Sequence, residues 1–220
     1  TLTLLNYGRI HIELSSKCTL KCPRCPRTEL HPDNLNKDIT LTEFQAAFTP
    51  DFLATINDIT FCGNVGDPIY NRDFLEIIEY IKQYSHCKLT IVTNGSYKHT
   101  SWWEELGSML TRYDQVTFSV DGWDQESNEK YRVNSDFDSI IDGARALRKS
   151  SRVWMNWSAI YFNFNEKQFT WIKDLAKDVG FDTFEAVRSS KFNGRYLVDG
   201  VDDLKPVDFY IANSQYQVQT

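Results

Sequence analysis

The loop at residues 18–25 constrains this chain more than any other stretch of its sequence. It contains three cysteines, Cys18, Cys22 and Cys25, at spacings of four and three residues. Thiolates are soft ligands that suit iron–sulfur clusters or zinc. Closed iron–sulfur clusters of the cubane type usually take four cysteines. Three thiolates therefore predict a cluster that keeps one iron open to a small molecule, which is the arrangement of a reactive site.

The residues around the triplet, SKCTLKCPRCPR at positions 16–27, resemble the Cys-x3-Cys-x2-Cys signature of the radical S-adenosylmethionine (radical SAM) enzymes. They look like the branch of that family with a C-terminal twitch or SPASM extension. The resemblance implies that the three cysteines bind a [4Fe–4S] cluster and that S-adenosylmethionine (SAM) chelates the fourth iron. It further implies that an electron from a donor such as flavodoxin or ferredoxin cleaves SAM. The resulting 5′-deoxyadenosyl radical then takes a hydrogen atom from a substrate.

Three other interpretations of the triplet stay open at this point. The cysteines could belong to a zinc site in which His11 or His31 is the fourth ligand. They could hold a cluster that only transfers electrons, or the spacing could be a coincidence. The first two define a different class of protein, a non-catalytic iron–sulfur or zinc binding module.

The composition limits the class of protein further. At 220 residues with 41% hydrophobic residues, the chain fits one domain with a sizeable core and a small appendage. Its net charge of −6 gives no basic field, so we expect neither nucleic acid nor a membrane as partner. Five cysteines, three of them in one loop, do not suit a disulfide framework. We therefore expect a cytoplasmic protein.

Hydrophobic periodicity predicts strands that alternate with helices. The predicted strands are residues 9–15, 56–62, 88–93, 115–121, 153–161 and 183–188, and the predicted helices are residues 41–53, 73–84, 101–111, 137–149 and 166–179. Thr40 with Glu43 predicts a capping box, and so does Asn165 with Gln168. Gly180 is placed for a left-handed C-terminal cap. Alternation of this kind indicates an α/β fold with a parallel sheet.

The strands themselves alternate between polar and apolar residues, which distinguishes two α/β architectures. Strands of a doubly wound open sheet are covered on both faces and are nearly continuous apolar runs. Here Val116, Phe118 and Val120 oppose Thr117 and Ser119. This pattern favours a partial (β/α)6 TIM-like barrel with a polar lumen over residues 1–195. Residues 196–220 are predicted to start a C-terminal extension.

The loop after the second predicted strand resembles the Gly-Gly-Glu-Pro turn of the radical SAM family. It comprises Gly63, Asn64, Val65, Gly66, Asp67 and Pro68. In the family, the backbone of this turn binds the amino group of SAM. The glycines permit a close backbone approach. Asp67 stands where the family usually has glutamate, and the turn is one residue longer; an ordinary Gly/Pro turn is the alternative.

Further predicted SAM contacts lie near the ends of the other strands, where ligands bind in parallel α/β proteins. Ser119 and Asp121 belong to a segment similar to the family's Ser-Leu-Asp-Gly strand and are expected near the ribose. Arg132 is the candidate for the methionine carboxylate, because a guanidinium matches a carboxylate in bidentate fashion. The remaining predicted contacts are Arg24, where many relatives have an aromatic residue, and Asn94, Asn156 and Val187.

The substrate is the least constrained part of the prediction. Two carboxylates on the polar strand faces, Glu13 and Glu185, are candidates to orient it, with a purely structural role as the alternative. No catalytic residue is assigned beyond the cluster. Because twitch and SPASM enzymes often modify peptides, a peptide or protein is the first expectation. A nucleotide or another small molecule is the second.

Overall fold

The computed structural model describes residues 7–29 and 36–187, and in these residues six strands form one parallel sheet in sequence order. The strands are β1 (Tyr7–Ile12), β2 (Ile56–Phe61), β3 (Lys88–Thr93), β4 (Gln115–Ser119), β5 (Trp154–Ile160) and β6 (Thr183–Val187). Parallel neighbours require crossover connections, and the intervening segments supply helices for them. β1 and β6 end the strand order, so the structure is an open partial barrel. The predicted fold is confirmed.

Among the described residues eight α-helices accompany the strands, and the longer ones bury apolar residues against the outer face of the sheet. They are α1 (Pro26–Glu29), α2 (Leu41–Ala47), α3 (Pro50–Leu53), α4 (Phe74–Tyr84), α5 (Thr100–Met109), α6 (Gln125–Glu129), α7 (Phe137–Ser150) and α8 (Phe169–Val179), with 3₁₀ turns at Pro68–Tyr70 and Glu166–Gln168. The single helix predicted over residues 41–53 is wrong. Thr49 caps a new helix at Pro50, whose missing N–H cannot continue α2.

The alternation of the strands corresponds to a packed face and a lumen face. Val116 and Phe118 of β4 are fully buried in the core formed with the helices. On the opposite face, strand register places His11, Thr60 and Thr90 in one row across β1, β2 and β3. Hydrogen-bonding side chains therefore face the lumen, as the sequence pattern predicts.

Two of the three predicted helix boundaries are confirmed. Thr40 and Glu43 form a reciprocal capping box, and Gly180 has a left-handed φ of 108°. The capping box predicted at Asn165 is wrong, because that buried amide makes no cap hydrogen bond. Its Nδ2 instead donates to the carbonyl oxygens of Asp121 and Ile160, each at 2.8 Å. Asn165 thus joins the chain after β4 to the end of β5.

Some predictions fall on residues that the structure does not describe. The predicted extension at 196–220, His31 and the end of the sixth predicted strand lie outside the described residues. Within the described residues, none of the helices has both the length and the apolar character needed to cross a bilayer.

A close contact between α5 and α7 generates the first testable prediction. A Cβ at Gly143 would clash with Nε1 of Trp103 and lie 2.6 Å from its Cδ1, and Trp103 is fully buried. We expect Gly143→Ala to lower the free energy of unfolding by about 1–2 kcal/mol, because overpacking outweighs the gain from replacing a helical glycine. Urea unfolding under reducing conditions measures it.

Gly8→Ala is the matched control, because nothing lies within 4 Å of a Cβ at that position. This variant should be at least as stable as the wild type. Equal stability of the two alanine variants would contradict the packing argument.

Candidate active site

A cavity of about 230 Å³ lies at the carboxyl ends of the strands. It gathers most of the predicted site residues: Cys18, Cys22, Cys25, Gly63, Asn64, Gly66, Asp67, Asn94, Ser119 and Arg132. Val65 of the predicted turn also lines the cavity, and residues that the sequence analysis did not assign to the site complete the lining: Leu20, Cys62, Val92, Thr93, Tyr131 and Ile160. Segments about a hundred residues apart in the sequence therefore face one space.

The three cysteine thiols lie in an apolar environment. Leu20, Cys22, Tyr131 and Phe162 form a buried cluster, and Cys18 and Cys25 pack against it. Burial raises the pKa of Cys18 to about 12 and also raises the pKa of Cys22. The thiols of Cys18 and Cys22 are therefore neutral in the absence of a cation. A metal centre must displace their protons when it binds.

The donor set fits an iron–sulfur cluster. Among residues 7–29 and 36–187, no group of three or more His, Cys, Asp and Glu side chains is arranged to hold a single ion. The three thiols that line one cavity would hold an iron–sulfur cluster, because thiolates are the ligands that such clusters take. Of the histidines proposed for zinc, His11 is exposed and its Nε2 donates to the carbonyl oxygen of Cys62 at 2.8 Å.

The glycine turn after β2 packs directly against the segment that leads into the cysteine loop. A Cβ at Gly66 would clash with the carbonyl oxygen of Ser15, and one at Gly63 would clash with that of Gly66. Glycine is needed at both positions for this reason. Oε1 of Glu13 accepts hydrogen bonds from the backbone N–H groups of Val65 and Gly66, at 2.8 and 3.0 Å. The structure thus gives Glu13 a structural partner, and its role in orienting substrate stays a prediction.

Asp67 fastens this turn to the end of β3. Its carboxylate accepts hydrogen bonds from the hydroxyl of Thr93, from the backbone N–H and the amide of Asn94, and from the N–H of Ile69. Burial raises the pKa of Asp67 to about 6, and these donors oppose that rise. The amide of Asn94 also lies 3.7 Å from the sulfur of Cys18. The turn, β3 and the first cysteine are thereby held together.

A buried ion pair joins Arg132 to the end of β4. Nε of Arg132 donates to Oδ2 of Asp121 at 2.6 Å, and Oδ1 of Asp121 accepts the N–H of Ile160 at 2.6 Å. Burial is the largest single influence on the pKa of Arg132 and lowers it, but Asp121, Cys22 and Tyr131 together outweigh burial, and the net shift is upward. Asp121 is fully buried and both of its oxygens have protein partners. Arg132 lines the cavity as a fixed cation.

Besides Glu13, five described residues that were predicted to contact SAM or substrate lie outside the cavity lining: Arg24, Asp121, Asn156, Glu185 and Val187. Arg24 pairs with Glu29 at 2.7 Å. Asn156 accepts a hydrogen bond from Thr183 at 2.8 Å and donates weakly to Glu185 at 3.4 Å. The ligand contacts of these five residues stay predictions.

The apolar wall of the cavity was missed by the sequence analysis. Tyr131 is 2% exposed, and its ring lies 4.8 Å from the ring of Phe162. Its position beside Arg132 was the available signal. Phe162 had no comparable signal, because only the fold brings it close to the cysteine loop.

Comparisons with known proteins agree with this geometry. A family model described as the radical SAM superfamily matches residues 12–169. A protein named probable GTP 3′,8-cyclase from Methanocaldococcus jannaschii is 25% identical over 79% of this chain and 58% of its own length. Another of that name, from Saccharolobus islandicus, is 22% identical over 97% of this chain and 68% of its own length.

A solved structure with a similar fold is that of Streptococcus suis SuiB bound to S-adenosylmethionine. Its TM-score is 0.66 at 19% identity, over 91% of this chain and 43% of SuiB. SuiB has also been solved with its precursor peptide SuiA, with a TM-score of 0.66 at 20% identity over 84% of this chain and 40% of SuiB. The present chain thus spans only part of the length of these proteins.

The structure places the cavity, with the three cysteines around it, at the open end of a parallel partial barrel. Because the family model matches more than half of its residues, the chain belongs to the radical SAM superfamily. The cofactors of this family are a [4Fe–4S] cluster and SAM. The twitch or SPASM branch stays a prediction.

The ion pair at the cavity generates the second prediction. Arg132→Met should lower the free energy of unfolding by about 3–5 kcal/mol, because it leaves the Asp121 carboxylate buried without its cation. The double variant Asp121→Asn/Arg132→Met should lose less than Arg132→Met alone. Urea unfolding of the cluster-free protein measures both.

Arg145→Met is the control, because its pair with Asp142 is 3.9 Å long and more than half exposed. It should change stability by less than about 1 kcal/mol. Wild-type stability of Arg132→Met would contradict the importance of the buried pair.

Proposed function

We propose that Cys18, Cys22 and Cys25 bind the [4Fe–4S] cluster and that the adjoining cavity binds SAM. The observation that carries this proposal is the presence of all three thiols and the glycine turn around one cavity in a radical SAM chain. When bound, the cluster supplies the electron that cleaves SAM, and the radical so formed takes a hydrogen atom from the substrate. An external donor such as flavodoxin or ferredoxin would provide that electron.

The glycine turn would bind the amino group of SAM through its backbone. Gly63 and Gly66 let the turn pack closely against protein backbone, and the hydrogen bonds from Val65 and Gly66 to Glu13 fix its path. Asp67 fixes the far end of the turn from β3. A turn held in this way does not need to reorganise when the ligand arrives, which saves conformational entropy.

Arg132 would bind the methionine carboxylate of SAM. Its Nε is committed to Asp121, so the ion pair sets the orientation of the guanidinium plane at the cavity. The terminal nitrogens of a guanidinium can donate to a carboxylate in bidentate fashion. Asp121 would then act on SAM through Arg132, and Ser119 at the cavity would offer its hydroxyl to the ribose.

The apolar residues of the cavity would protect the radical step. Tyr131 lines the cavity and Phe162 packs against it; both are almost fully buried beside Cys22 and would exclude water from that side. A primary carbon radical abstracts hydrogen from any nearby C–H group, so a dry and tightly shaped site limits side reactions. This is the chain's own contribution beyond binding the cofactors.

The substrate that we propose first is a nucleotide. Both curated relatives described above are named GTP 3′,8-cyclases, and their similarity extends over 79% and 97% of this chain. The lumen row of His11, Thr60 and Thr90 carries donors and acceptors suited to a base or a ribose. This differs from the first expectation of the sequence analysis, which was a peptide or protein.

A peptide is the second candidate. SuiB has a similar fold and has been solved with its precursor peptide. The barrel is open between β1 and β6, so an extended substrate would have a route to the cavity from that side.

Anaerobic reconstitution of the protein with iron and sulfide tests the cofactor proposal. We expect about four irons per chain and formation of 5′-deoxyadenosine on addition of dithionite and SAM. Cys22→Ala should lose most of its iron and all of this product.

Cys87→Ala is the control, because Cys87 is buried in the main core and outside the cavity lining. This variant should keep the wild-type iron content. A full iron complement in Cys22→Ala would contradict the ligand assignment, and an intact cluster that forms no 5′-deoxyadenosine would contradict the enzyme reading.

Isotope transfer tests the substrate proposal. With GTP deuterated throughout its ribose, the 5′-deoxyadenosine produced by the reconstituted full-length protein should contain deuterium, measured by mass spectrometry. ATP deuterated in the same way is the control for selectivity. Unlabelled 5′-deoxyadenosine with both nucleotides would overturn the nucleotide proposal and favour the peptide.

A further inference from the structure

The cysteine loop is held by hydrogen bonds from loops far away in the sequence. Nδ2 of Asn134 donates to the carbonyl oxygen of Thr19 at 2.8 Å. The N–H of Lys21 donates to the carbonyl oxygen of Val133 at 2.9 Å. The hydroxyl of Thr19 lies 2.9 Å from that of Tyr70. All of these contacts fall on residues 19–21, between the first two cysteines.

The contacts continue into a closed ring. The hydroxyl of Tyr70 donates to the carbonyl oxygen of Ser96 at 2.8 Å, so it accepts from Thr19. The hydroxyl of Tyr97, next along the chain, donates to the carbonyl oxygen of Asn134 at 3.0 Å. The side chain of Asn134 donates to the carbonyl oxygen of Thr19, and this hydrogen bond closes the ring. We call Thr19, Tyr70, Tyr97 and Asn134 the clasp; it joins the cysteine loop to the chain after β2, β3 and α6.

Two members of the clasp have an unusual backbone. Tyr97 has a φ of 65° and Asn134 a φ of 67°. Asparagine tolerates this left-handed region, but for a bulky aromatic residue it is a strained conformation that persists only where the surroundings impose it. The backbone N–H of Tyr97 donates to the hydroxyl of Ser139, and the backbone N–H of Asn134 donates to the carboxylate of Glu129. These two hydrogen bonds hold the backbone of each residue in place.

Core packing does not account for an aromatic side chain at this place. Tyr97 is 46% exposed, and it keeps its strained backbone beside solvent. The hydrogen bond from its hydroxyl to Asn134 is therefore the contact that ties it to the cysteine loop. Strained residues of this kind cluster at functional sites.

We propose that Tyr97 and Asn134 are positioning residues that hold the segment between Cys18 and Cys22 and thereby keep these two ligands correctly spaced for the cluster. This rests on the proposed function of the three cysteines. The clasp limits the opening of the cysteine loop, and this opening is the motion by which iron is lost. The clasp acts on the cluster through the hydrogen bond that Asn134 donates to the carbonyl oxygen of Thr19.

Three variants test the clasp: Tyr97→Phe, Asn134→Gly and the double variant. Phenylalanine removes only the hydroxyl, and glycine adopts the left-handed backbone without steric strain while removing the amide. After anaerobic reconstitution, we measure the rate of iron transfer to a ferrous chelator. Loss of one hydrogen bond worth about 1 kcal/mol should speed iron loss about fivefold in Asn134→Gly.

The other readouts separate positioning from general stability. The thermal midpoint of the cluster-free protein should fall by no more than about 2–4 °C in Asn134→Gly, as expected for one lost hydrogen bond, while the electron paramagnetic resonance signal of the reduced cluster should broaden. The double variant should lose iron no faster than Asn134→Gly, because Tyr97 acts through Asn134. Tyr113→Phe, whose exposed hydroxyl contacts Arg112, is the control and should match the wild type.

The outcomes distinguish this inference from the proposed function. Wild-type rates of iron loss in all three variants, with a cluster present, would overturn the clasp alone. Equal acceleration in Tyr113→Phe would also overturn it. A wild-type protein that holds no cluster would overturn the proposed function and the clasp with it.

Discussion

The site depends on the hydrogen bonds that the buried carboxylate of Asp67 accepts. This carboxylate accepts hydrogen bonds from Thr93, Asn94 and Ile69, and so it holds the glycine turn after β2 to the end of β3. Burial alone disfavours its charged form, as the rise of its pKa to about 6 indicates. The hydrogen-bond donors that compensate for the burial of this carboxylate also fix the glycine turn and the loop after β3. One desolvated group therefore sets the relative position of two loops at the cavity.

The same physical solution recurs at two other carboxylates. Glu13 accepts two N–H groups of the glycine turn, and Asp121 orients Arg132 at the cavity. Backbone groups in loops lack the partners that helices and sheets provide, so a buried carboxylate with several acceptor positions can order them. Loops fixed in this way stay open around the cavity, whereas apolar packing would fill it. Preorganisation of this kind is what a site that binds a cofactor in one geometry requires.

The fold was largely predictable because its signals are local. Period-2 strands and period-3.6 helices follow from which side chains face the core, and the order of elements then gives the parallel sheet. The failures have local causes too. Pro50 divides the predicted helix over 41–53, and Asn165 uses its amide to join two loops where the pattern indicated a cap. A polar residue near a helix start can serve either purpose, and only its neighbours in space decide which.

The sequence by itself determined the three thiols, the glycine turn and the strand order, because each depends on residues within a few positions of one another. Only the tertiary structure decided which polar residues face the cavity and which support it. Glu13 and Val65 are 52 positions apart, and Thr19 and Asn134 are 115 apart. Contacts at such separations leave no periodicity or spacing in the sequence. They arise because parallel strands bring all of their carboxyl ends, and the loops that follow, to one end of the barrel.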